Sequence, residues 1–360
     1  MTQGHFSPIL GYFKIAVREA VEAIHALRKS KPRMMPSVLQ VEAPSVKGAQ
    51  VAAEYPLLKS FVDAYSDDCP PALLVFGDSV FLRVATDDQS SLSLGEILGL
   101  SYQDGMFLVS GSGYHSGVFE QFSAVLEALP ARPRIAVVPI NLRIFSPTWD
   151  LNPLYQFESE IELLSSFDLK RPDYTLQDAK LSTEFEDHVV SMELDGEKII
   201  SLSEFLGIIR ESPAIGSEAW KDRLKTIFQC HYMYLLNTEH RKIKSLKQTI
   251  KRLNGIGVSV YCYITPINYE AGKEYCGDVF MEAVEKNISI IQQEIESVWP
   301  AVFTGNDALA FRFDNFAFRL ARNVFFTSYN ATEHLRFEGR DLIAKRIAEA
   351  ERALHKTSAY

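Results

Sequence analysis

Ser79 closes the triplet Gly77-Asp78-Ser79 directly after the apolar run Pro71-Ala-Leu-Leu-Val-Phe76, and His334 stands far downstream in Thr332-Glu-His334-Leu-Arg-Phe-Glu-Gly339. A serine hydroxyl is a weak nucleophile at its free pKa and needs an imidazole within hydrogen-bond reach. It also needs N–H donors aimed at the oxyanion formed when it attacks a carbonyl. Ser79 supplies one such donor from its own backbone, at the start of a helical turn. The loop Ser110-Gly-Ser-Gly113-Tyr-His-Ser-Gly117 supplies another, at Gly113 or at Gly111, where a residue without a side chain lets a substrate approach the backbone. The stretch Val137-Val-Pro-Ile-Asn141-Leu-Arg143 adds an amide side chain, Asn141. The chemistry these types support together is acyl transfer through an acyl-serine.

These residues need a frame that brings them to one edge. Five apolar runs, Leu73–Phe76, Met106–Ser110, Arg134–Ile140, Gly257–Ile264 and Ala308–Phe313, are separated by long crossovers, as in a parallel sheet wrapped by helices. Phe119 to Leu129 has the helical apolar spacing a right-handed crossover requires, and Gly339 to Leu354 closes the chain as another helix. In such open sheets ligands bind beyond the carboxyl ends of the strands, where Ser79, Gly113 and Asn141 all fall.

Two regions lie outside this rhythm. Residues 1–70 read as a helical N-terminal extension. Ile9, Phe13, Ala16, Val17, Ala20, Ile24 and Leu27 form one amphipathic stripe, Ser30 to Gly48 is a linker, and a short helix runs around Leu57 to Tyr65. The N-terminal stripe packs on the main domain, docks a partner or lies on a membrane surface. Residues 71–360 then form the α/β domain, with 145–255 inserted as a cap, because the third-to-fourth crossover is far longer than one helix and its loops require. Within the insertion, Val189 to Ile200 reads as a hairpin turning at Asp195-Gly196, and Ser217 to Leu253 as helix.

The ordered blocks Gly77-Asp78-Ser79, Gly113, Asn141 and His334-Leu-Arg-Phe-Glu-Gly339 resemble the SGNH hydrolases, the GDSL-type esterases and acyltransferases. The resemblance implies a three-layer α/β/α flavodoxin-like domain with a five-stranded parallel sheet. It implies Ser79 as nucleophile, His334 as general base, and Ser79, Gly113 and Asn141 as the oxyanion hole. It also implies a small or carbohydrate ester as substrate, an O-acetyl ester above all, with hydrolysis and transfer to a sugar hydroxyl as alternatives and no organic cofactor. Two positions depart from the pattern. Ala331 stands where the family places the aspartate that orients its histidine, and Asn141-Leu-Arg143 replaces Gly-x-Asn-Asp. Glu333 or Asn330 is then left as the orienting group, a Ser–His dyad is the other solution, and a non-catalytic binding scaffold is the rival reading.

Three more side chains belong to the candidate site. Arg143 suits an anionic substrate group or an acidic residue of the protein, His115 lines the pocket or serves the loop, and Asp78 anchors the serine loop by hydrogen bonds. Phe145, Trp149 and Tyr155 form an apolar wall or core. The chain has 360 residues, 47% of them hydrophobic, so it buries a large core. A formal charge of -9 argues against nucleic acid as the partner. The basic run Arg241 to Arg252 interleaves Ile and Leu at helical spacing and reads as a solvated helix face. Four cysteines without CxxC spacing argue against a disulfide framework or a metal site, and no apolar stretch reaches the length of a membrane span. A cytoplasmic protein is the expectation.

Overall fold

The computed structural model describes residues 55–102, 105–150, 152, 155–167, 189–192, 198–299 and 309–357. The chain divides after Pro44, and every described residue belongs to the unit Ser45–Tyr360. The amphipathic stripe of Ile9 to Leu27, the linker and the hairpin's Asp195-Gly196 turn lie outside the described residues.

Five strands form the sheet: β1 (Leu73–Gly77), β2 (Met106–Ser110), β3 (Ile135–Ile140), β4 (Ser259–Ile264) and β5 (Phe311–Asn315). All pairings are parallel, in the order β2-β1-β3-β4-β5, with Leu73 opposite both Met106 and Ile135 and Ile140 opposite Ile264. This is the flavodoxin-like order, whose switch point lies between β1 and β3. The fifth strand begins at Phe311, three residues after the start of the apolar run that marked it.

The strand period of two divides the interior into two cores. Leu74, Phe76, Ala136, Val138, Val260 and Cys262 face one core, beneath helices Pro56–Ser66, Ser116–Ala128, Arg241–Gly255 and Val279–Glu296. Leu73, Val75, Ile135, Val137, Tyr261 and Tyr263 face the other, covered by helices Leu94–Ser101 and Phe337–Thr357. Helices on both faces make three layers, and strands buried on both sides explain why the runs are continuously apolar. Helix Pro56–Ser66 contributes Leu58, Phe61 and Tyr65 to the first core, so this part of residues 1–70 is integral to the α/β unit.

The long crossover contains helices Pro147–Asp150, Glu158–Phe167, Leu202–Arg210 and Glu218–Tyr232 and an antiparallel pair, Val189–Met192 with Lys198–Ser201. The expected continuous helix from Ser217 to Leu253 is two helices. Between them Asn287, buried in helix Val279–Glu296, donates to the Tyr234 carbonyl (2.8 Å) and accepts from Leu236 N–H (3.2 Å). A side-chain amide thus replaces the helical ladder and lets the backbone leave it. Arg241–Gly255 is the crossover helix proper. One lysine of its first turn is not solvated: Lys242 is buried and donates to the Ile144 carbonyl at 2.7 Å.

Candidate active site

At the end of β1 the chain turns sharply into the one-turn helix Ser79–Leu82. Asp78 caps that turn, its Oδ1 accepting from Val80 N–H at 2.8 Å, and its Oδ2 accepts from Asn141 Nδ2 at 2.8 Å. Gly77 must be small here, because a Cβ would lie 2.7 Å from the Phe81 ring. Burial raises the Asp78 pKa, opposed by the bonds from Asn141 and Val80. Both of its oxygens are occupied, so Asp78 ties the serine turn to the end of β3.

His334 arrives from the other end of the sequence. Its Nε2 lies 2.9 Å from Ser79 Oγ, across 255 residues of chain. Phe326 N–H donates to the His334 carbonyl (3.0 Å) and Arg336 N–H to that of Val324 (2.7 Å), so residues 334–336 run extended beside 324–326. Just before that pairing the chain makes an ST turn, in which the Thr332 hydroxyl folds back onto residue 334. Thr332 Oγ1 accordingly sits 3.3 Å from His334 Nδ1 and accepts from the His334 N–H at 3.1 Å, and the Phe326 ring packs on the imidazole at 5.4 Å.

Glu333 does not orient the histidine. Its carboxylate is buried and taken by Arg143, with Nε to Oε1 at 3.0 Å and Nη2 to Oε2, and by the Tyr232 hydroxyl. Arg143 Nη2 also donates to the Ala331 carbonyl at 3.1 Å. Of the two partners open to Arg143 from the sequence, the acidic residue holds it. Burial works against the Arg143 charge, but Glu333 and Tyr232 keep its pKa above the usual value. The Asn330 backbone carbonyl accepts from Asn268 Nδ2 at 3.1 Å.

The other sequence-derived residues stand on the loops after β2 and β3. Gly113 has φ +87°, a conformation only glycine takes freely, and a Cβ there would lie 2.9 Å from the Tyr155 ring. Tyr155 stacks on Trp149 at 3.9 Å and 10°, and Arg143 lies over Trp149 at 5.3 Å. These rings from the start of the insertion wall one side of the glycine loop. His115 is structural: buried, it caps helix Ser116–Ala128 with Nδ1 accepting from Gly117 N–H (3.0 Å), and its Nε2 bonds the Tyr155 carbonyl (3.0 Å). Asn141 caps the 3₁₀ turn Leu142–Phe145, its Oδ1 accepting from Arg143 N–H at 3.0 Å; Nδ2 carries a second hydrogen beyond the one given to Asp78.

The electrostatics around His334 are uniformly cationic. Burial, then Arg83, then Arg143 push its pKa from 6.5 down to about 3, so the imidazole is a neutral acceptor at ordinary pH. Reading the sequence missed Thr332 and Arg83. Thr332 was visible only as the residue two before His334, which matters once its hydroxyl is seen to fold back onto residue 334. Arg83 stands four residues after Ser79, one helical turn away.

No protein-family model and no curated protein matches this chain. Among solved structures it is similar to a catalytic mutant of an acetylxylan esterase from Geobacillus stearothermophilus, at 11% identity and a TM-score of 0.34, over 79% of this chain and 95% of that one. Among the described residues no helix is long and apolar enough to cross a membrane.

Proposed function

We propose that the protein is a serine-dependent hydrolase of acyl esters, acting on a small or carbohydrate O-acyl ester, O-acetyl esters foremost. One observation carries the reading: Ser79 Oγ and His334 Nε2 are 2.9 Å apart, within reach for proton transfer, at the carboxyl edge of the sheet. His334 takes the Ser79 proton as Oγ bonds to the ester carbonyl carbon. The carbonyl oxygen becomes the oxyanion, met by the N–H groups of Ser79 and Gly113 and by the second Nδ2 hydrogen of Asn141. Collapse expels the alcohol, protonated by His334, and leaves acyl-Ser79. Water, deprotonated by His334, then releases the acid and restores the serine. An alcohol acceptor in place of water would give transfer, and adding sugar acceptors during turnover separates the two.

The pair works as a dyad, with the Thr332 hydroxyl where a carboxylate would otherwise orient the imidazole. A neutral His334 is ready to accept a proton, but a cationic neighbourhood makes it a weak base until the oxyanion develops beside it. Slow turnover of simple esters follows.

The experiment is labelling by a fluorophosphonate probe together with turnover of 4-nitrophenyl acetate, in wild type, Ser79→Ala and His334→Ala. Labelling and turnover that vanish in Ser79→Ala are expected. A wild type that neither labels nor turns over, or a Ser79→Ala protein that labels as well as wild type, overturns the proposal.

A further inference from the structure

Arg83 leaves the catalytic turn with no ion-pair partner among the described residues. Its backbone N–H donates to the Ser79 carbonyl at 3.0 Å, which fixes its Cα one helical turn from the serine, and from there the chain departs in extended conformation (φ -88°, ψ 140°) with the side chain exposed. The arginines nearby are each matched to a carboxylate: Arg143 to Glu333, Arg336 to Asp87 at 2.9 Å, and Arg340 to Asp88 at 2.8 Å. Asp87 and Asp88 belong to the loop that follows Arg83, yet both are spent on the segment beyond His334. Among the described residues none forms an ion pair with Arg83. In a chain with 46 acidic and 37 basic residues, an uncompensated guanidinium beside the nucleophile stands out.

The position of that charge is informative. It acts on the His334 imidazole and on the Tyr155 ring, the group that stands over Gly113. Arg83 therefore serves the space that a substrate would enter between the Ser–His pair and the glycine loop. An exposed guanidinium without an ion-pair partner among the described residues attracts an anion there and offers a planar fork of donors to a carboxylate, phosphate or sulfate.

Resting on the hydrolase reading above, we propose that the substrate is an anionic ester, and that Arg83 binds its carboxylate, phosphate or sulfate group while Ser79 attacks the acyl carbon. Arg83 is then a specificity residue, and Arg143, paired with Glu333, is not the anion receptor.

The test compares phenyl acetate, neutral, with 4-acetoxybenzoate and phenyl hydrogen succinate, which carry a carboxylate on the alcohol and the acyl side respectively. The ratio of kcat/KM for an anionic ester to that for phenyl acetate should fall about 10- to 100-fold in Arg83→Gln, the range of a charged hydrogen bond. It should fall further in Arg83→Glu and be partly restored in Arg83→Lys. Which anionic ester responds tells which side of the ester bears the charge. A ratio unchanged in Arg83→Gln for both anionic esters overturns the proposal. A second readout needs no turnover: the His334 imidazole signal in NMR, followed while sodium benzoate, sodium sulfate or sodium phosphate is added. Saturable shifts in wild type that disappear in Arg83→Gln support the anion site even if no ester is cleaved, which would sink only the hydrolase reading. The absence of any saturable shift in wild type overturns the anion site.

Discussion

Glu333 and His334 are neighbours in sequence that belong to different regions. Glu333 is locked in a buried cluster with Arg143 and Tyr232, while His334 has two hydroxyl partners, Ser79 and Thr332. The first region commits its carboxylate to an arginine and a phenol of the protein; the second holds the Ser79 hydroxyl and the His334 imidazole only lightly. The ST turn at Thr332 produces the contrast, because its hydroxyl folds back onto residue 334 while the Glu333 carboxylate is held by Arg143 and Tyr232. A carboxylate one residue before the histidine therefore cannot orient it, and a hydroxyl two residues before can.

If the contrast is functional, mutations in the two regions should have opposite signatures. The largest effect is expected from His334→Ala, which should lower kcat for 4-nitrophenyl acetate by about 10⁴-fold or more. Its urea-unfolding free energy should stay within about 1 kcal/mol of wild type, because the imidazole is lightly bonded. Comparable losses of stability and activity would erase the distinction.

Glu333→Ala should do the reverse and cost about 3–5 kcal/mol of stability, since it strands the Arg143 charge in the interior. Urea denaturation measures it, and a loss below 1 kcal/mol would mean that Arg143 is solvated. Ester turnover per folded molecule should fall far less than in His334→Ala.

The pH response sharpens the contrast further. Burial and two arginines depress the His334 pKa in the folded protein to about 3, against 6.5 in the unfolded chain. Between those values the unfolded state binds a proton that the folded state refuses, so this group's contribution to stability is complete above about 6.5 and is lost as pH falls towards 3. The acid limb of kcat/KM should likewise lie well below pH 6.5, and Arg83→Gln should move it upward. A limb at 6.5 in wild type would show that His334 is not desolvated as described. The smallest effect is expected from Thr332→Val, which removes the hydroxyl beside Nδ1. A fall in kcat of about 10-fold, with little change in KM and recovery in Thr332→Ser, would fit one lost neutral hydrogen bond; a Thr332→Val enzyme at full rate would remove threonine from the orienting role.

Much of the architecture was legible. Continuous apolar runs marked β1 to β4 and the phase change to helices between them, since a strand buried on both faces has no room for polar residues. The fifth strand was displaced by three residues because Arg312 and Asp314 interrupt its apolarity, paired to each other at 2.8 Å. The break between helices Glu218–Tyr232 and Arg241–Gly255 was invisible, because the amide that supports it, Asn287, comes from a distant helix.

At the site, the sequence determined the chemical types and their order: a serine after β1, a glycine loop after β2, an amide after β3 and a histidine before the last helix. Parallel strand order then brings such ends to one edge. Only the tertiary structure decided the partners. It gave Glu333 to Arg143 instead of His334, made His115 a helix cap, and left Arg83, one turn from Ser79, without an ion-pair partner among the described residues. Partnership among buried polar groups depends on which donors and acceptors meet after desolvation, and those come from segments up to 255 residues apart, a distance across which local pattern carries no information.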